Sequence, residues 1–187
     1  ATWIKEQMQQ YSISEIVNKE WTGLVIQPVS LPTSLKMLVG WTKEKADTSS
    51  FVSSVTHTRT QAEKDAYYQQ FLKQNTTILE QIMTALENED TEAFLQGITN
   101  NRTLLLDFAK EMSIILETPS LTKLCQIAIQ ENASAKTSGA GGGDCGICFI
   151  TKPQQEETIT NQWEEAGILP LNLEIAPTKG AIRKELS

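Results

Sequence analysis

Thiols and imidazoles are scarce in this chain: three cysteines and a single histidine, His57, among 187 residues. So few cysteines, in odd number, exclude a disulfide framework and fit reduced thiols in a reducing compartment. A four-ligand zinc site is equally hard to assemble, because Cys125 lies on a helical pattern separate from Cys145 and Cys148. Cations are outnumbered as well, 16 against 23 acidic residues, for a net charge of −7. With no basic stripe, nucleic acid is excluded as a general partner. No apolar run approaches a bilayer span, and the N-terminus has no signal-peptide architecture, so the expectation is a cytoplasmic protein with no membrane partner. An initiating methionine is missing too. Ala1-Thr2-Trp3-Ile4 opens in apolar, structured-looking sequence, which suggests the later part of something longer.

Against these absences, the chain is 40% hydrophobic, enough for one domain with a core, and it concentrates glycine. Five of its ten glycines fall in residues 136–147, Lys136-Thr-Ser138-Gly139-Ala140-Gly141-Gly142-Gly143-Asp144-Cys145-Gly146-Ile147. A segment with so few side chains turns tightly, tolerates positive φ and brings its amides close to a ligand oxygen, as phosphate sites require. A flexible linker repeats Gly and Ser without apolar punctuation, whereas this run leads into the apolar stretch Cys145 to Ile150. It is not a P-loop, which needs a strand, then the glycines ending in Gly-Lys-Ser/Thr, then a helix. Here Lys136 precedes the glycines and a strand follows. Cys145-Gly-Ile-Cys148 matches C-x-x-C, but redox pairs sit at helix N-termini, and residues three apart on a strand face opposite sides.

The periodicities predict a short helix at Ser14–Lys19 and strands at Leu24–Ile26 and Leu35–Val39. A helix from Glu63 presents Tyr68, Phe71, Leu72, Asn75, Ile78, Leu79, Ile82, Met83 and Leu86 on one face. Asn88-Glu89-Asp90 breaks it, and a second helix follows with Phe94, Leu95, Ile98, Leu105, Phe108, Ala109, Met112 and Leu116 inward, ending before Pro119. A third, roughly Ser120–Glu131, turns Leu121, Leu124, Cys125 and Ala128 inward and runs into the glycine loop. After a strand at Asp144–Ile150, a helix starts at Pro153 with an Ile159, Trp163, Ala166 stripe and ends at Gly167. A last strand alternates over Leu169–Ile175. These elements predict an α+β fold, an antiparallel sheet of about four strands packed against helices, over residues 1–176, with a tail at 177–187.

Two more segments have the composition of a site. Gly40 to Phe51 leaves a strand and enters a short helix, with hydroxyls at Thr42, Thr48, Ser49 and Ser50 and cations at Lys43 and Lys45. Such groups at a helix N-terminus make an anion site, or they cap the helix. Asn101 and Arg102 stand one turn from Ile98 and Leu105, where core residues belong; buried, each needs a partner, and at the edge of the stripe each looks outward.

Ser138-Gly-Ala-Gly-Gly-Gly-Asp144-Cys-Gly resembles the third signature of the GHMP kinases, in the form carried by the branch that acts on phosphomevalonate. Trp21-x-Gly23-Leu24, Leu38-Val39-Gly40-Trp41-Thr42, Ser49-Ser50-Phe51-Val52, Asn101-Arg102-Thr103 and Trp163-x-x-x-Gly167-Ile168 are similar to the same family in order and spacing. The resemblance covers nearly the whole chain. It also has a boundary: the family's first signature with its substrate-side lysine, its second with Pro-x-x-x-Gly-Leu-Gly-Ser-Ser, and the aspartate that follows have no counterpart here. The resemblance therefore implies the ferredoxin-like C-terminal half of such an enzyme, inactive alone and partnered by an N-terminal lobe, with a docking face that can also pair two copies.

For the intact protein the resemblance implies transfer of the γ-phosphoryl of ATP, with Mg2+, onto (R)-5-phosphomevalonate, giving 5-diphosphomevalonate on the mevalonate route to isoprenoids. Ser138, Gly139, Ala140, Gly141, Gly142, Gly143 and Asp144 would form the nucleotide phosphate loop, with Asp144 orienting it or assisting magnesium indirectly and Lys136 supporting the charge or lying at a helix end. Thr42, Ser49, Ser50, Asn101 and Arg102 would meet the acceptor. No catalytic or metal-binding residue is expected in this chain. Two alternatives stay open: a binding or regulatory module without chemistry, and a GHMP enzyme with another acceptor, a mevalonate kinase or a diphosphomevalonate decarboxylase.

Overall fold

The computed structural model describes residues 2–21, 29–45, 61–139, 141–173 and 175. The expected strand at Leu24–Ile26, the Ser49 and Ser50 segment, Ala140 and the 177–187 tail lie outside them. The chain divides into two compact units, Ala1–Pro28 with Thr178–Ser187, and Val29–Pro177. In the first, helix α1 (Thr2–Gln7), which periodicity did not reveal, precedes α2 (Ile13–Val17). Ser12 and Glu15 close a capping box that starts α2 one residue before the expected Ser14. Trp21 donates its indole N–H to the Ile16 carbonyl and lies 5.8 Å from the Trp3 ring.

The second unit is built on strands β1 (Lys36–Trp41), β2 (Ser134–Thr137), β3 (Cys145–Ile150) and β4 (Leu169–Leu171), in the order β2-β3-β1-β4. β3 is antiparallel to both neighbours, and β4 is antiparallel to β1. Helices α3 (Gln61–Glu87), α4 (Thr91–Glu111) and α5 (Pro119–Gln130) connect β1 to β2, and α6 (Pro153–Glu165) connects β3 to β4. This is the split βαβ arrangement of ferredoxin-like folds, as expected. β2 was not foreseen. The glycine run therefore joins two strands of a hairpin, not a helix to a strand, and Lys136 is a strand residue rather than a helix end. β4 is shorter than expected because Leu173 and Ile175, beyond it, are exposed.

Alternation along the strands feeds two cores. Leu38, Cys148 and Ile150 join Leu124, Cys125, Ala128, Ile159 and Trp163 of α5 and α6. Phe149, with Met37 and Ile147 against it, joins Phe94 and Ile98 of α4 and Ala85 of α3, and the Phe94 and Phe149 rings meet edge to face at 4.9 Å. Ala166, expected in the α6 stripe, is exposed, and the expected apolar face of α3 is wet at Tyr68, Leu72 and Leu79. Among the described residues no helix is long and apolar enough to cross a membrane.

One close approach fixes where α5 lies. Gly40 and Gly146 are register partners in the β1 and β3 pair. A Cβ on Gly40 would come within 2.8 Å of Leu124 Cδ1, and one on Gly146 within 2.6 Å of Leu124 Cδ2. Leu124, fully buried, thus seats in a notch made by two missing side chains, and α5 lies against the strands that flank the glycine loop. Thr118, as N-cap, accepts the Leu121 N–H, and Pro119 opens the first turn. The start of α5, the end of β1 and the β2–β3 loop consequently gather at one end of the sheet.

Candidate functional site

The loop from Ser138 to Asp144 has the backbone its composition demands. Gly139, Gly141, Gly142 and Gly143 have φ of 89°, 79°, 78° and 134°, and Asp144 follows at 65°. For residues with a Cβ these angles are costly, so the run is glycine by necessity. The mouth closes where Ser138 N–H donates to the Cys145 carbonyl at 2.9 Å. In the middle, Gly142 N–H donates at 2.8 Å to the carbonyl of Leu116, in the connector between α4 and α5. A Cβ on Gly141 would meet that same oxygen at 2.3 Å.

A second clasp comes from the end of β1. Thr42, 7% exposed, donates both its N–H, at 2.8 Å, and its hydroxyl, at 2.7 Å, to the Asp144 carbonyl. Asp144 N–H returns a bond to the Glu44 carbonyl at 2.9 Å. Two segments singled out separately in the sequence thus meet, but the Thr42 hydroxyl proton is committed inside the protein rather than offered to a ligand. Asp144 sends its carboxylate outward, where Oδ1 accepts the Cys145 thiol at 3.6 Å.

Glu44 ties this clasp to α5. Its Oε1 accepts the Ser120 hydroxyl at 2.7 Å, and the Thr118 and Ser120 hydroxyls together lower its pKa below the ordinary 4.5. A depressed carboxylate contributes stability that is present above its unfolded-state pKa and is lost as pH falls through the folded one. Wild-type protein is therefore expected to melt slightly above Glu44→Gln at pH 6. The gap should close as pH falls below 4.5. The carboxylate is exposed, so the effect is at most about 0.5 kcal/mol; paired thermal melts across this range check it.

Asn101 and Arg102 each have a protein partner. Asn101, buried, donates to Asn75 Oδ1 at 3.0 Å. Arg102 Nε and one Nη donate in parallel to the two carboxylate oxygens of Glu117, each at 2.7 Å. Arg102, expected to meet a ligand, is here paired with Glu117, their side chains 16% and 3% exposed. This hydrogen bonding raises the guanidinium pKa. Lys136 donates to the Thr137 carbonyl at 2.9 Å, and burial lowers its pKa. Burial also pushes the Cys125 and Cys148 thiols up to about 12, and with help from Asp144 it raises Cys145, so these thiols are poor nucleophiles.

Sequence reasoning missed the Leu116 carbonyl, Glu117 and Glu44. A backbone carbonyl leaves no sequence signal. Glu117 left one: an acid between the apolar Leu116 and the helix-opening Thr118-Pro119, one helix away from an arginine on an apolar face.

Residues 82–169 match the family model described as GHMP kinases C terminal. Over those residues the chain has the sequence and fold of a GHMP kinase C-terminal domain. The chain is 35% identical over 167 residues to a phosphomevalonate kinase of Streptomyces sp. (strain CL190), covering 88% of this chain and 44% of that protein. Among solved structures it is similar to the Lin0012 protein of Listeria innocua, at 30% identity and TM-score 0.84, covering 96% of this chain and 50% of that one. It is also similar to Streptococcus pneumoniae phosphomevalonate kinase, solved in complex with phosphomevalonate and AMPPNP, at 29% identity and TM-score 0.73, covering 91% of this chain and 48% of that one. The chain therefore spans about half the length of the relatives it matches.

Proposed function

We propose that this chain is the C-terminal half, residues 1–176, of a cytoplasmic kinase that moves the γ-phosphoryl of ATP onto (R)-5-phosphomevalonate. The observation that carries the reading is the loop of left-handed glycines, clasped from β1 and from the α4–α5 connector. The Streptomyces relative and the S. pneumoniae complex support the choice of acceptor and nucleotide. Phosphoryl transfer is chiefly positioning and charge stabilisation, which a rigid backbone loop can supply. The amides of Ser138, Gly142 and Asp144 are spent on protein carbonyls, so among the described residues of the run a phosphate would be met by the amides of Gly139, Gly141 and Gly143. Ser49 and Ser50 are assigned to the acceptor, and Thr42 to holding the loop through the Asp144 carbonyl.

Among the described residues no three His, Cys, Asp or Glu side chains converge as a metal site. Mg2+ would arrive with ATP, held by its phosphates and by groups outside this set, where it neutralises charge on the transferring phosphoryl. Exposed Tyr68, Leu72 and Leu79 of α3 are read as a face that the other half of the kinase covers.

The test is direct. The natural protein that contains this chain, given ATP, Mg2+ and phosphomevalonate, should yield ADP and 5-diphosphomevalonate, identified by mass spectrometry. Residues 1–187 alone should not. Mevalonate accepted in preference to phosphomevalonate would move the protein to another acceptor, and turnover by the isolated chain would overturn the half-enzyme reading. Ser49→Ala should raise KM for phosphomevalonate about ten- to a hundredfold, the worth of one charge-assisted hydrogen bond, with KM for ATP unchanged.

A further inference from the structure

We infer that Arg102 and Glu117 are positioning residues for the glycine loop, acting on it through the Leu116 carbonyl; the inference rests on the kinase reading for its catalytic consequence but not for its structural one. Leu116 and Glu117 share a peptide unit, so whatever fixes the Glu117 carboxylate also limits where the Leu116 oxygen can lie. That carboxylate is held on every side. Oε1 accepts Arg102 Nε at 2.7 Å and the Cys125 thiol at 3.8 Å; Oε2 accepts an Arg102 Nη at 2.7 Å and the Thr122 hydroxyl at 3.3 Å. Arg102 stands within α4, and Thr122 and Cys125 stand on α5. The pair thus bolts the irregular connector to both helices that flank it.

The connector has need of the bolt. It leaves α4 through Ser113 at a φ of 56° and exposes Ile115, an apolar residue it does not bury. Its contact with the loop, by contrast, is tight. Leu116 O takes the Gly142 N–H at 2.8 Å, and the 2.3 Å that would separate it from a Gly141 Cβ shows the loop backbone laid directly on that oxygen. A small movement of Leu116 must therefore move the loop. A bidentate guanidinium and carboxylate pair suits such a task because it fixes orientation as well as distance. Arg102 accordingly governs phosphate contact without touching substrate.

The experiment compares wild type, Glu117→Gln and Arg102→Lys in the natural protein. Amide hydrogen exchange without ligand reads the loop, residues 138–144, against β3, residues 145–150. Both variants should speed exchange at Gly142 about tenfold, the upper worth of one net hydrogen bond, with β3 unchanged. Kinetics should show KM for ATP raised and KM for phosphomevalonate unchanged. Loop and β3 exchange rising together, with both KM values unchanged, would make the pair merely structural and overturn the inference. A raised KM for phosphomevalonate alone would make Arg102 an acceptor contact and also overturn it. Faster loop exchange in a protein that phosphorylates nothing would uphold the positioning role and defeat the kinase reading. If Glu117→Gln does not fold, Arg102→Lys, which keeps the charge and one hydrogen bond, carries the same readings.

Discussion

Gly141→Ala is expected to lower kcat/KM of the natural protein about a hundredfold, the scale at which a displacement of about 1 Å in a catalytic loop is felt. Two costs coincide at this residue. Its φ of 79° is left-handed, worth about 1–2 kcal/mol against an L side chain. The new methyl would also lie 2.3 Å from the Leu116 carbonyl oxygen and 2.8 Å from Leu116 Cδ1. Side-chain contact can relax, but a backbone oxygen already bonded to Gly142 cannot move without taking the loop with it. Overpacking adds about 1–3 kcal/mol, so a total near 3 kcal/mol should lower Tm by about 6–12 °C. Gly167→Ala, outside the loop, is the control: its φ is also 79°, yet nothing lies within 4 Å of the added Cβ. It should cost the conformational strain alone and leave kinetics nearly intact. Equal behaviour of the two variants in melting and in kcat/KM would mean that contact with Leu116 is irrelevant to the loop.

The fold was legible where burial is one-sided and periodic. Leu121, Leu124, Cys125 and Ala128 stand on one face of α5 and are all fully buried, so a spacing of three and four located both the helix and its core face. β1 and β3 were legible as apolar, β-prone runs. β2 was not: Ser134-Ala-Lys-Thr137 has no hydrophobic alternation to read, because its stability comes from pairing with β3 and from being covered by α4 and α5. Tertiary context overrode local preference there.

The site divides in the same way. The glycine loop was legible because left-handed backbone has a compositional signature. What holds it in place was not, since Leu116 acts through its carbonyl and Thr42 through a bond to another carbonyl. Arg102 was noticed as a cation on an apolar helical face, and the structure pairs it with Glu117. A buried charge demands a counter-charge, but a sequence does not say whether a ligand or a nearby connector supplies it. Here Glu117, 15 positions on, does.

Trp163→Ala is expected to be the most destabilising single change in the α5 and α6 core. Trp163 is fully buried, its indole N–H donates to the Leu124 carbonyl at 3.1 Å, and its ring edge lies 3.1 Å from where a Gly40 Cβ would stand. It therefore backs the same leucine that seats in the Gly40 and Gly146 notch. Removing the ring leaves a cavity between α5, α6 and β1, worth about 3–5 kcal/mol, or about 6–20 °C in Tm. Trp163→Phe separates the contributions: it keeps most of the volume and loses the indole N–H, so it should cost about 1–2 kcal/mol. The two variants also report on the loop, because α5 carries Thr118 and Ser120, which hold Glu44, and Cys125 and Thr122, which hold Glu117. A shift of α5 into the cavity should loosen both clasps at once. Trp163→Ala is thus expected to raise KM for ATP at temperatures well below its own melting point, and an unchanged KM at those temperatures would show that the loop is held independently of where α5 packs.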